Sequence, residues 1–321
     1  MSQQAARELL AALCTCERVL LTGPVEPDGD SLGACLALQR VLQFRGIRSE
    51  VAGAAGYRYA WMPGADQLVA DELVAPHYDG VVVLDGDRHR LTPGPSAAFD
   101  VARVRGIIDH HASTRPEGYT HAWIEPDSAS TCELVYQLAV AAGVPIDADF
   151  ASLIYAGLLF DTGGFRYSNT TPATHRLAAE LLDYGVEHTS INSRILMERT
   201  IAGVHCVGEV LRHAAIHHGG RVALGALTLA DRARFGIAPG DTEGLVEALV
   251  HIQGVDVAAL LIEQGPELVK VSFRSRGTRD VAKLAHSLAP SGGGHAKASG
   301  VSLPHALKRA EAIVLDALRG C

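Results

Sequence analysis

The chain has 321 residues, 48% of them hydrophobic and 20% charged, with a formal net charge of −8 at neutral pH. That balance excludes a disordered chain, and the length exceeds one ordinary core but suits two domains of roughly 100–200 residues each. The acidic sum excludes a protein that coats long nucleic acid, and no apolar run reaches the ~18 residues of a membrane span. Residues 1–21 carry no basic leader or cleavage site and predict an amphipathic helix running into a strand, hence a cytoplasmic protein. Strands are predicted over 18–22, 49–53, 81–84, 106–108 and 121–124, and helices over 31–44, 131–142, 149–160 and 172–184. Ser31 opens the first of these helices after a turn, and Gly46 closes it. Apolar strands alternating with helices imply a doubly wound parallel α/β sheet covered on both faces. The pattern changes near 186–200, which predicts two domains over 1–190 and 200–321. The second is a smaller mixed-sheet α/β domain. In it, 221–228, 257–263 and 267–274 read as antiparallel strands and 281–289 as a helix. Cys14, Cys16, Cys35, Cys132, Cys206 and Cys321 form no CxxC pair and read as reduced thiols that pack as small apolar residues.

The chemistry lies where the strands stop. Asp28 and Asp30 follow the first strand, Asp85 ends the VVVL strand, and Asp109, His110 and His111 end the GII strand. In a parallel sheet all carboxyl ends lie on one edge, where ligands bind, so these groups should converge. Asp161 ends the apolar stretch ASLIYAGLLF and adds a fourth carboxylate at the end of a buried element. Carboxylates brought together resist ionisation unless cations sit between them. Aspartate with histidine and no cysteine suits Mn²⁺, Mg²⁺ or a related ion rather than structural zinc, and two such ions bridged by an aspartate suit phosphate-ester hydrolysis.

A second constellation lies near the C-terminus. Gly292, Gly293 and Gly294 precede His295, and consecutive glycines let backbone N–H groups approach an anion. Arg274 and Arg276 alternate on the preceding strand, so both should face one side, and their planar forks suit phosphate. The segment fits a substrate-anchoring domain.

Taken in order, these motifs resemble the DHH phosphoesterase superfamily, in its nano-RNase branch of oligoribonucleases that also act as pAp phosphatases. The resemblance covers nearly the whole chain. It rests on PDGDSLG at 27–33, Asp85, Asp109-His110-His111, DSASTCELVY at 127–136, DTGGFR at 161–166, FRSRG and GGGHAKASG. It implies two ions, usually manganese, with Mg²⁺ or Co²⁺ as alternatives. Asp28 and Asp85 would serve the first ion; Asp30, Asp85, His110 and Asp161 would hold the second. It further implies that His111 faces the scissile phosphate, that Asp109 orients its neighbours, and that Arg274, Arg276, Gly293, Gly294 and His295 hold the substrate. The implied activity is hydrolysis of short oligoribonucleotides to mononucleotides and of 3′-phosphoadenosine 5′-phosphate to AMP, by a chain that could pair as a homodimer. One departure stands out: the family's first motif places a ligand histidine three positions before the proline of PDGD, and here that position is Pro24. Linear or cyclic dinucleotide messengers are an alternative substrate class, and nucleotide binding with impaired catalysis an alternative role.

Overall fold

Strand β1 (Arg18–Thr22) shows how the first sheet is built. Its side chains alternate faces, so Val19 and Leu21 enter one apolar cluster while Leu20 enters another. The next strands, β2 (Arg48–Ala52), β3 (Gly80–Leu84), β4 (Val104–Asp109) and β5 (His121–Ile124), join it in the order β2-β1-β3-β4-β5, parallel throughout. The structure, a computed structural model, describes residues 2–75, 77–238 and 240–319. It divides into two compact units, Met1–Glu198 and Arg199–Cys321.

In the first unit, α1 (Ser2–Leu13) precedes β1 and α2 (Gly29–Phe44) links β1 to β2. A short α3 (Gly56–Tyr59) follows β2, and α4 (Pro93–Val101) lies between β3 and β4. Beyond β5 come α5 (Thr131–Ala141), α6 (Ala148–Asp161), α7 (Pro172–Asp183) and α8 (His188–Asn192). Val82, Leu84 and Ile108 bury one face of the sheet beneath α1, α2, α5 and α6. Val81 and Val83 bury the other beneath Ala98 and Phe99 of α4. The sheet is therefore covered on both sides, as all-parallel sheets are, and its strand order reverses between β1 and β3. Ligand sites of such sheets lie at that reversal, outside the carboxyl ends of the strands.

The second unit holds α9 (Ile201–Arg212), β6 (Ala215–His217), β7 (Val222–Leu227), α10 (Leu229–Phe235) and α11 (Leu245–Val250), then β8 (Val257–Gly265) and β9 (Leu268–Ser275). It ends with α12 (Val281–Leu288), β10 (Gly293–His295), β11 (Ala298–Leu303) and α13 (Leu307–Ala317). Its six-stranded sheet runs β10-β11-β9-β8-β7-β6. The alternation along β8 serves two cores. Val257, Ala259 and Leu261 pack with α12 and α13, whereas Ala258, Leu260 and Ile262 pack with α9 and α11. One expectation fails here. Strands β7 and β8 pair in parallel, not antiparallel, which makes the sheet mixed. The 29 residues between their facing ends (227 to 257) hold α10 and α11, length enough for a crossover, and side-chain alternation carries no information about strand direction. Cys14, Cys16, Cys35, Cys132 and Cys206 are free thiols, while Cys321 lies outside the described residues.

The N-terminal helix is locked to the sheet through a glycine. Leu9 is fully buried, and a Cβ placed on Gly106 of β4 would lie 2.7 Å from its Cδ1. Leu9→Ala should cost about 2–5 kcal/mol through the cavity it leaves, and Gly106→Ala about 1–3 kcal/mol through overpacking. The double variant should lose less than the sum, because each change relieves the other. Urea denaturation of the four proteins measures this coupling, and strict additivity would show that the two residues do not pack as described.

Candidate metal centre

The segment after β1 is shaped by a helix cap. Asp28 stands in extended backbone (φ −99°, ψ −169°), and its Oδ1 accepts the N–H groups of Asp30 and Ser31, both at 3.0 Å. This cap starts α2 at Gly29, two residues before the position expected from sequence. Asp30 then falls in the first turn and is wholly buried. Its Oδ2 accepts the Thr131 N–H at 2.6 Å and its Oδ1 the Cys132 N–H at 2.9 Å. These are the first two amides of α5, whose own cap, Ser130, accepts the Glu133 N–H. The carboxylate of Asp30 thus sits at the positive end of a helix a hundred residues away in sequence. Gly157 of α6 makes the room: a Cβ there would lie 2.5 Å from Asp30 Oδ1 and would also strike Cys132 Sγ.

Asp85 follows β3 with φ at +59°, a left-handed conformation that costs a non-glycine residue of order 1–3 kcal/mol and persists only where its surroundings hold it. They do. Its N–H bonds the carbonyl of Ile108 (3.1 Å), and its Oδ1 accepts the Thr131 hydroxyl (3.1 Å). His110 Nε2 lies 3.5 Å from the same oxygen and 2.7 Å from Oδ2 of Asp161, the last residue of α6. The other ring nitrogen, Nδ1, lies 3.2 Å from the Ser128 carbonyl, so it carries a proton and leaves Nε2 to face the carboxylates. Donor atoms of Asp30, Asp85, His110 and Asp161 all fall within 4.8 Å of one another.

Asp109 works behind this group. It is fully buried, and its Oδ1 accepts the His110 N–H (2.8 Å), the His111 N–H (3.3 Å) and the His111 Nδ1–H (2.7 Å). Its Oδ2 accepts the Thr114 hydroxyl. Asp109 therefore fixes the loop after β4 and turns the His111 ring.

The charges are not at ease together. Burial, and then the charges of Asp85 and Asp161, hold the carboxyls of Asp28 and Asp30 well above the usual carboxylate range. Burial acts the same way on Asp85, but the hydrogen bond from His110 and the charge of His111 outweigh it and hold this carboxyl below that range. Burial opposes charge on both histidines, yet Asp161 and Asp85 keep His110 well above its ordinary value, and Asp109 pushes His111 up to about 9. A largely buried set of three carboxylates and one imidazole, part of it reluctant to ionise, fits a hard or borderline divalent cation.

Asp28 stands at the edge of this group. It feels Asp85 but belongs to none of the donor clusters of the described residues. Thr131 and Ser128, which lie in the DSASTCELVY segment without an assigned role, and Thr114 and Gly157, which lie in none of the motifs, are further structural partners. Asn169 is another, its Nδ2 donating to the carbonyls of Ala129 (3.0 Å) and Asp161 (3.1 Å) and so tying the two loops together.

In the glycine-rich segment of the second unit, Gly293 to His295 form an edge strand paired with 298–300. Gly294 has φ +129°, and a Cβ there would lie 2.5 Å from the Ala298 carbonyl, so the pairing itself requires glycine. Arg274, Ala298 and His295 are in register across three strands and share a face. Arg274 is ion-paired with Glu247 of α11, Nε to Oε1 2.6 Å. Arg276 is exposed and lies beyond the end of β9, its N–H on the Asp256 carbonyl, so the expected alternation of the two arginines along one strand is not kept.

Family models match twice. The DHH family N-terminal domain matches residues 18–158, and the DHHA1 domain matches residues 219–319. A bifunctional oligoribonuclease and PAP phosphatase, NrnA, of Thermus thermophilus is 32% identical over 297 residues, covering 92% of this chain and 87% of that protein. Among solved structures, an exopolyphosphatase-related protein of Bacteroides fragilis superposes with a TM-score of 0.86 at 25% identity, covering 98% of this chain and 96% of the other. RecJ of Thermus thermophilus in complex with Mn²⁺ shares the fold at a TM-score of 0.58 and 18% identity, covering 99% of this chain and 55% of that one.

Two outcomes test the geometry. Gly157→Ala should destabilise the protein by about 1–3 kcal/mol and lower its metal affinity, since the methyl displaces Asp30; thermal melts with and without Mn²⁺ report both. In metal-free protein, Asp109→Asn should cost about 1.5–3 kcal/mol at neutral pH. The pKa of His111 is raised on folding, so the pair's contribution is full below about 6.5 and is lost as pH rises through about 9. Denaturation of both proteins between pH 6 and 10 should show the gap narrowing by the share of the His111 pair, and a constant gap would reject the pairing.

Proposed function

The chain belongs to the DHH family of phosphoesterases, and on that footing we propose that it hydrolyses short oligoribonucleotides to mononucleotides and 3′-phosphoadenosine 5′-phosphate to AMP, in the cytoplasm. The observation that carries the proposal is the four-donor cluster of Asp30, Asp85, His110 and Asp161 at the carboxyl edge of the parallel sheet. We assign these four residues to a divalent ion, manganese in the first instance, with Asp28 and Asp85 beside a second position. When bound, such an ion polarises a phosphoryl oxygen and lowers the pKa of water.

The chain's own residues supply the rest. The α5 amides hold Asp30, and the Ser128 carbonyl orients His110, so the donors are fixed before any ion arrives. Against burial, Asp109 raises the pKa of His111 in the metal-free protein and holds the ring through Nδ1. Its Nε2–H is then the group to stabilise charge on a phosphoryl oxygen or to give a proton to the leaving oxygen. Arg274, Arg276, His295 and the amides of Gly293 and Gly294 are assigned to the nucleotide and its phosphate. For Arg274 this means that a phosphate competes with Glu247.

Purified protein with Mn²⁺ and 5′-phosphorylated RNA of two to five nucleotides should release mononucleotides. Asp30→Asn and Asp85→Asn should each lower kcat/KM by about a hundredfold or more. His111→Ala should lower kcat by about 10²–10⁴-fold. Absence of mononucleotide at every length, or full activity in Asp30→Asn, would overturn the proposal.

A further inference from the structure

We infer that the resting protein holds one divalent ion tightly, at Asp30, Asp85, His110 and Asp161, and that Pro24 withholds the neighbouring position from a second. The inference rests on the metal-site reading above and refines it from the loops that border the cluster.

Pro24 is buried where the chain leaves β1. A Cβ on Gly86 would lie 3.3 Å from three of its ring atoms, Cβ, Cγ and Cδ, so the ring packs on the residue directly after Asp85. The Val25 N–H donates to the Arg90 carbonyl at 2.8 Å and pins the loop after β1 to the turn after β3. The space beside Asp85 on this side is therefore bordered by hydrocarbon from a residue with no side-chain donor and no N–H. Glu26, two residues on, is exposed.

Few side-chain donors besides Asp28 and Asp85 border this position; one is the Oγ of Ser31, buried without a hydrogen-bond partner among the described residues and, as a neutral hydroxyl, a weak ligand beside a carboxylate or an imidazole. Asp28 Oδ1 accepts two amides at the start of α2. Asp109 accepts from the loop after β4 and from Thr114 through both oxygens. His111 spends Nδ1 on Asp109. An ion beside Asp28 would have Asp28 Oδ2 and a shared Asp85 oxygen as its protein ligands, with water for the rest. Mn²⁺ and Mg²⁺ favour about six oxygen or nitrogen donors, and losing protein donors costs affinity steeply. The two positions should differ by about a hundredfold or more in affinity.

The test is a titration of the metal-stripped full chain with Mn²⁺, followed by calorimetry and by electron paramagnetic resonance. One tight equivalent is expected, with the resolved hyperfine signal of an isolated ion and a second event at least about a hundredfold weaker. Pro24→His should add a second tight equivalent and broaden the signal into that of a spin-coupled pair. Should circular dichroism show that this variant does not fold, Asp28→Asn and Asp30→Asn decide instead. The first should leave the tight equivalent in place and the second should remove it. Two tight, spin-coupled ions in the unaltered protein would overturn the inference while leaving the metal site standing, as would loss of the tight ion in Asp28→Asn or a Pro24→His protein that folds and still binds one. No tight ion at all would overturn the metal-site reading with it.

Discussion

Like charges crowded at the end of a parallel sheet set the terms for the first unit. Asp30, Asp85 and Asp161 are brought together by three different elements, and their mutual repulsion must be met by something in the fold. Two devices meet part of it. The amides that open α5 grip both oxygens of Asp30, and the two histidines after β4 face Asp85 and Asp161. Neither device removes the cost of charge here: burial first, and then the charges of Asp85 and Asp161, hold the carboxyls of Asp28 and Asp30 well above the usual range. The residual charge is what suits the cluster to a cation rather than to a set of buried ion pairs.

Much of this was legible in the chain itself. PDGD, Asp85, DHH and Asp161 announce themselves because acidic residues directly after buried apolar runs need a reason, and because a parallel sheet gathers strand ends by construction. The strands over 18–22 and 121–124 fall where their alternation and boundaries predict. What was not legible depends on partners distant in sequence. Gly157 reads as an ordinary small residue in an apolar helix until α6 is laid against α2 and α5. Thr131 reads as a helix start until its hydroxyl meets Asp85.

The remaining departures have physical causes of the same kind. The strand character of GGGH was hidden because three residues of β11, later in the chain, supply its backbone partners. The parallel pairing of β7 and β8 escapes a pattern that encodes faces and not directions. The ion pair of Arg274 was hidden for the same reason, because Glu247, twenty-seven residues earlier, comes alongside only after α11 docks on the sheet.

The grip on Asp30 by main-chain amides has a consequence for inheritance. A side-chain donor is lost to a single base change, whereas the N–H of residue 132 survives every substitution except proline. Position 132 can therefore drift among small side chains that fit beside Gly157 without releasing the carboxylate it holds. Descendants that share few letters here keep the same placement of this carboxylate, because what is passed on is a helix terminus rather than a residue.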